Sequence, residues 1–152
     1  MKGKKKINKN EETKYDERQL KVRGDGFKYG FYVEIIYNGI LFLLHLAEIK
    51  IPIAEEVLLF FGIITSVSVY VIYCILKEAY VSINESASRF KTMFSILGVM
   101  NIVMGLSAFS HGNMIENGVL TYRCLNWLCG IFLLVTVVVL HIQTKMAEKE
   151  EE

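Results

Sequence analysis

Val57–Leu76 reads VLLFFGIITSVSVYVIYCIL, twenty residues without a single Asp, Glu, Lys or Arg. A hydrocarbon layer about 30 Å thick takes roughly 20 apolar residues as a helix, so this stretch alone predicts a membrane span. Three others match it: Tyr29–Ala47 (YGFYVEIIYNGILFLLHLA), Met93–Ser110 (MFSILGVMNIVMGLSAFS) and Leu125–Ile142 (LNWLCGIFLLVTVVVLHI). Four such segments in succession need a thick polar shell if they are to be buried core helices in water, and the chain has none to supply. The β-branched run Val135–Val139 does not argue for a strand, because an isolated segment in lipid satisfies its own backbone only as a helix. The expected fold class is all-α, an integral membrane four-helix bundle.

Outward from these spans the charge is very uneven. Of 33 charged side chains, 14 fall in residues 1–26 and 6 in residues 143–152, leaving 13 for the 116 residues between. Three regions follow: a basic leader over 1–26 whose start lacks apolar content, a four-span body over 27–142, and an acidic tail over 143–152. Fifteen of the 17 Lys and Arg lie before span one, between spans two and three, or after span four; only Lys50 and Arg123 lie in the other two connections. The positive-inside rule then places both termini in the cytoplasm. Tyr29, Tyr32, Tyr73, Tyr80, Tyr122 and Trp127 gather near the span ends, where interfacial anchors belong. The polar leader and the long apolar run are both too extended for a cleaved signal peptide.

Several chemistries are excluded by what the spacing lacks. Cys74, Cys124 and Cys129 form no CxxC or Cys/His pattern, so neither a metal site nor a disulfide framework is expected. Neither a Ser-His-Asp arrangement, an HExxH motif nor a phosphate-binding loop occurs, so the chain reads as non-enzymatic, with no cofactor. Lys2, Lys4, Lys5, Lys6 and Lys9 form a basic cluster suited to anionic lipid headgroups at the bilayer surface, worth about 1 kcal/mol per charge. Its plain reading is topology determination, and the missing aromatic interleaving argues against nucleic acid. In the second half of the leader, Glu17/Lys21 is spaced for a short helix. Gly24-Asp25-Gly26 is expected to break that helix ahead of span one. Ser86 or Ser88 is a candidate cap for the helix leading into span three.

An ionisable residue inside a span is a functional expectation by default. Glu34 is the clearest, and helical spacing aligns it with Asn38, Leu41, His45 and Glu48 in a stripe along span one. Gly62 and Ser66 on span two, Gly98 and Gly105 on span three, and Asn126 and Gly130 on span four are the expected helix-packing positions, since small residues let backbones approach. A compact bundle with these faces inward would bring Glu34 to Asn101, Tyr70 or Tyr73. Glu34, Asn38, His45 and Asn101 are then either helix fasteners or a proton or cation site.

At Tyr15-Asp16-Glu17-Arg18-Gln19, followed by Arg23-Gly24 and Phe27-Lys28-Tyr29-Gly30-Phe31, the chain resembles a group of small uncharacterised bacterial membrane proteins. The likeness lies in a DERQ-type leader, an RG-x-x-FKYGF-type lead into the first span, and four spans. It implies residence in a bacterial inner membrane and carries over no catalytic residue. A looser analogy is to the small multidrug-resistance transporters, four-helix proteins with a glutamate in the first span, which are shorter and have no long basic leader. Two functions are therefore expected. The first is a non-enzymatic component that binds a partner or regulates a neighbouring membrane system, motivated by the charged leader, with a homo-oligomer or a membrane protein as the expected partner. The second is a small oligomeric transporter or channel using Glu34.

Overall fold

The computed structural model describes residues 15–82, 85–112 and 114–150, with the side chain of residue 150 set aside. Four helices dominate: α1 (Glu17–Leu46), α2 (Glu55–Leu76), α3 (Ala87–Ser110) and α4 (Leu125–Glu150). All four are long and apolar enough to cross a membrane. The Val135–Val139 run lies inside α4 and is helical. Large apolar side chains remain uncovered along every helix, among them Phe31, Ile35, Phe42 and Leu43 on α1, Ile96 and Val103 on α3, and Val138 on α4. A surface of that kind is unsuited to water and natural in lipid. The protein is thus a candidate multi-pass membrane protein.

Each helix runs antiparallel to the one it follows in sequence, but the four do not close around one axis. The first helix packs on the second, the second on the fourth and the fourth on the third; α1 meets the other two only incidentally. The order in space is therefore α1, α2, α4, α3. The core sits at the end where α1 begins and α4 finishes, built on Val71, Ile75 and Leu140 with Tyr70, Tyr80, Phe90 and Phe132 against them. We call this the terminal end and the opposite one the loop end.

The first helix departs most from expectation. It begins at Glu17, and Gly24-Asp25-Gly26 lies within it rather than ending it. A start is specified at Asp16, whose carboxylate accepts from the Gln19 N–H at 2.6 Å. Gln19 Oε1 returns a longer bond from the Asp16 N–H at 3.4 Å, completing a capping box. Two glycines cost the helix about 1 kcal/mol each. Gly26 is nonetheless tightly packed, since a Cβ there would stand 3.0 Å from the Tyr73 ring and 3.3 Å from Cys74 Sγ. Tertiary contact overrides propensity. Thirty helical residues at 1.5 Å each extend about 45 Å, more than a hydrocarbon layer of about 30 Å.

Two smaller features complete the chain. Ser86 caps α3 by accepting from the Ser88 N–H. Between α3 and α4 a two-stranded hairpin pairs β1 (Ile115–Glu116) with β2 (Val119–Leu120). Asn117 and Gly118 turn it with φ of +51° and +78°, the left-handed geometry that Asn-Gly turns favour. Leu120 ties the hairpin to the α1–α2 connection, its N–H donating to Pro52 O at 3.0 Å and its carbonyl accepting from Ala54 N–H at 2.9 Å.

Candidate functional site

The seam between α1 and α2 is built from small residues. A Cβ at Gly30 would come within 2.8 Å of Ser66 O, so the backbones touch there. Gly62 accepts the Tyr37 ring on the other side of the seam and lies near Glu34 Oε1. Tyr37 donates its hydroxyl to Leu58 O at 2.8 Å. These contacts leave Glu34 half-buried between the helices, one turn from Asn38. The Asn38 amide donates to Glu34 Oε1 at 2.9 Å and to Glu34 O at 2.9 Å. Glu34 Oε2 is shielded and has no hydrogen-bond partner among the described residues. An unsatisfied carboxylate oxygen in an apolar seam is costly, which makes this atom the chemical focus of the helix pair.

Toward the loop end the seam opens. A cavity of about 900 Å³ lies between the second half of α1, the connection 47–54, the start of α2 and the hairpin turn. Its lining includes Asn38, Leu41, His45, Lys50, Glu55 and Asn117. Toward the terminal end the seam is closed. Tyr70 covers Gly26 and Gly30, Tyr29 and Tyr73 meet edge-on at 5.1 Å, and Arg23 lies 5.8 Å from the Tyr70 ring centre.

The stripe along span one is therefore only partly one site. Glu34 and Asn38 are bonded, and His45 lines the same cavity as Asn38. Glu48 is exposed beyond the helix end. Asn101 is not brought to Glu34; its amide donates to Leu97 O within α3 at 2.8 Å. Tyr70 and Tyr73 face Gly26 and Gly30 rather than the carboxylate. The closed bundle behind the Glu34–Asn101 expectation does not form, because α2 and α4 separate α1 from α3.

The glycines of α3 and α4 each lie against a large side chain of the other helix. A Cβ at Gly98 would meet Leu134 at 2.9 Å, one at Gly105 would meet the Trp127 ring, and one at Gly130 would meet Ile102 at 2.8 Å. Asn126 is half-buried at the start of α4. Cys74, Cys124 and Cys129 are free thiols. Among the described residues no group of His, Cys, Asp and Glu is placed to hold a metal. Lys2, Lys4, Lys5, Lys6 and Lys9 lie outside the described residues.

A second assembly, which the sequence reading missed, joins the leader to the α2–α3 connection. The last carbonyls of a helix have no partner within it. Past the end of α2 the carbonyls of residues 77–81 are taken by side chains from α1. Arg18 donates to Lys77 O at 3.3 Å. Gln19, only 7% exposed, donates to Glu78 O at 3.0 Å and Val81 O at 3.3 Å. Arg23 donates to Ala79 O at 3.2 Å and Tyr80 O at 3.4 Å, while stacking 4.3 Å from the Tyr15 ring centre. Glu78 also pairs with Arg18 at 3.7 Å and accepts from Gln143 of α4 at 3.4 Å. Two cations at the negative end of α2 suit its dipole. Burial raises the Tyr80 phenol above its ordinary range, so it stays neutral inside this assembly.

The Asp16-x-x-Gln19 spacing was the available signal for the cap, and Gly26-x-x-x-Gly30 for the close seam. Nothing local marks Gln19 and Arg23 as partners of a loop some sixty residues away. Comparison of the chain with protein-family models, curated proteins and solved structures gives no match.

Proposed function

We propose that this is a non-enzymatic, multi-pass component of a bacterial cytoplasmic membrane, with both termini in the cytoplasm, that acts by holding a partner on the ordered start of α1. One observation carries this reading. Residues 17–25 are not a loose tether but a helix fixed to the 77–81 connection through Arg18, Gln19 and Arg23. With Gln19 and Arg23 turned onto the connection, Glu17, Leu20, Lys21 and Lys28 are left on the exposed surface, with Leu20 at 51% exposure and neighbouring Phe27 at 68%. An apolar pair rimmed by charges on a rigid helix suits a protein partner better than solvent, since little ordering entropy remains to be lost on binding. The excess of Lys and Arg at this end supports the cytoplasmic assignment.

The test is affinity capture in mild detergent with the Leu20→Glu/Lys21→Glu double variant beside wild type. A partner recovered with wild type and lost with the variant, at equal membrane abundance, supports the reading. Recovery of the same proteins by both contradicts it.

The second reading, a small transporter or channel using Glu34, is favoured by the shielded Glu34 Oε2 and by the cavity that reaches its bonded neighbour Asn38. In proteoliposomes it predicts that Glu34→Gln abolishes decay of an imposed pH gradient or uptake of cationic dyes while oligomer size is unchanged. Flux that survives the substitution removes Glu34 from the pathway.

A further inference from the structure

The cavity at the loop end changes character along the helices that form it. At its rim lie Lys50 and Glu55, on either side of a connection that the hairpin pins through the Leu120 backbone bonds to Pro52 and Ala54. About one turn into the helices the walls become apolar: Leu41 and Phe42 of α1 face Leu58 and Leu59 of α2. Phe42 and Leu59 are exposed, so these walls are open to whatever surrounds the helices, and in a membrane that is lipid. Among the described residues neither Lys50 nor Glu55 joins an ion pair. The rim therefore holds one cation and one anion that nothing in the fold uses.

We propose that this cavity docks an amine-bearing phospholipid from the surrounding leaflet, with its phosphate on Lys50, its ammonium on Glu55 and an acyl chain along the apolar walls. The proposal rests on the membrane placement above and needs neither a protein partner nor Glu34. Charge complementarity selects the occupant. A cation and an anion on one rim match a zwitterionic headgroup, whereas an anionic headgroup would set a like charge against Glu55. A primary ammonium also brings N–H donors to the Glu55 carboxylate, a charge-assisted bond that a trimethylated headgroup cannot make. His45, in the last turn of α1 and part of the lining, offers a ring N–H to phosphate or ester oxygens in either tautomer. The sequence of groups fits a lipid standing in its leaflet, charged at the surface and apolar toward the middle. A cavity of about 900 Å³ lies at the large end for a small-molecule site. It has room for a headgroup, its glycerol and the upper part of a chain, and its rim is preorganised by the pinned connection.

The experiment is native mass spectrometry of the full-length protein in one mild detergent, titrated in parallel with phosphatidylethanolamine, phosphatidylcholine and phosphatidylglycerol of identical acyl chains. The expected result is a discrete first adduct formed about tenfold more tightly with phosphatidylethanolamine than with either other lipid, the size of effect one charge-assisted hydrogen bond gives. Glu55→Gln should erase the preference over phosphatidylcholine, and Lys50→Gln should weaken both zwitterionic lipids together. Glu56→Gln, in the same helical turn but outside the lining, should change neither. Equal affinity for the three lipids would overturn the proposal, as would a preference that survives Glu55→Gln or is lost equally with Glu56→Gln. Tighter binding of phosphatidylglycerol would overturn it in favour of a simple basic site, and a stable dimer that takes up no lipid would overturn it in favour of a second copy. The outcome is separable from the functional readings above. Amine-selective binding by a chain that captures no partner leaves the groove as a lipid site, whereas a partner held by a chain without lipid selectivity removes only this proposal.

Discussion

At the scale of single residues, the two glycines of α1 that look alike in sequence have opposite consequences. A Cβ at Gly30 would press on Ser66 O at 2.8 Å, a backbone atom that cannot swing aside, whereas one at Gly39 would meet nothing within 4 Å. Gly30→Ala is expected to destabilise the α1–α2 pair by about 1–3 kcal/mol, and Gly39→Ala to be neutral or stabilising by about 0.5–1 kcal/mol. Thermal unfolding of the two variants in one detergent compares them directly; equal midpoints would show that the close seam is absent. Gln19 offers a second test. Its nearly buried amide serves two carbonyls, so Gln19→Ala should cost about 1–3 kcal/mol through the acceptors left unpaired. A loss of that size should appear as faster amide exchange over residues 17–25, with the centre of α4 unchanged. Exchange unchanged over 17–25 would mean the bonds to Glu78 and Val81 do not hold the extension.

At the scale of elements, the hairpin closes one wall of the cavity, and Gly118 is its strained point. Gly118→Ala at φ +78° should cost about 1–2 kcal/mol. Protection of the Leu120 amide should fall while the helices stay intact; full protection at Leu120 would contradict the hairpin's turn geometry. The helices were legible because an uncharged run of some twenty residues has few alternatives in lipid. The hairpin was legible too, since Ile115-Glu116-Asn117-Gly118-Val119-Leu120 carries the Asn-Gly signal between apolar pairs, but the hydropathy of the flanking spans drew the reading past it. The continuity of α1 through Gly24-Asp25-Gly26 was not legible. It depends on Tyr70, Tyr73 and Cys74 packing closely over position 26, which is a property of α2. For the same reason the stripe pointed to Glu34 and Asn38 correctly as neighbours on one helix. It could not say that α4, rather than α1, would stand next to α3.

At the scale of the whole molecule, the order α1, α2, α4, α3 leaves the first helix at an edge, supported by one neighbour and by the Arg18–Gln19–Arg23 assembly. Arg18 near its start and Gln143 of α4 meet at Glu78, so the start of α1 and the last turns of α4 lie at one end of the bundle. Single cysteines replacing Lys21 and Lys149 should then react together, and one replacing Asn117 with the opposite side; the first two reacting from different sides would break the antiparallel arrangement. The proposal that the exposed start of α1 holds a partner is tested most directly by a photo-crosslinking amino acid in place of Lys21 in living cells, with Lys149 as the comparison. A discrete adduct from position 21 that is lost with Leu20→Glu is the predicted result. Position 21 giving no adduct, or only the smear seen at position 149, would contradict it.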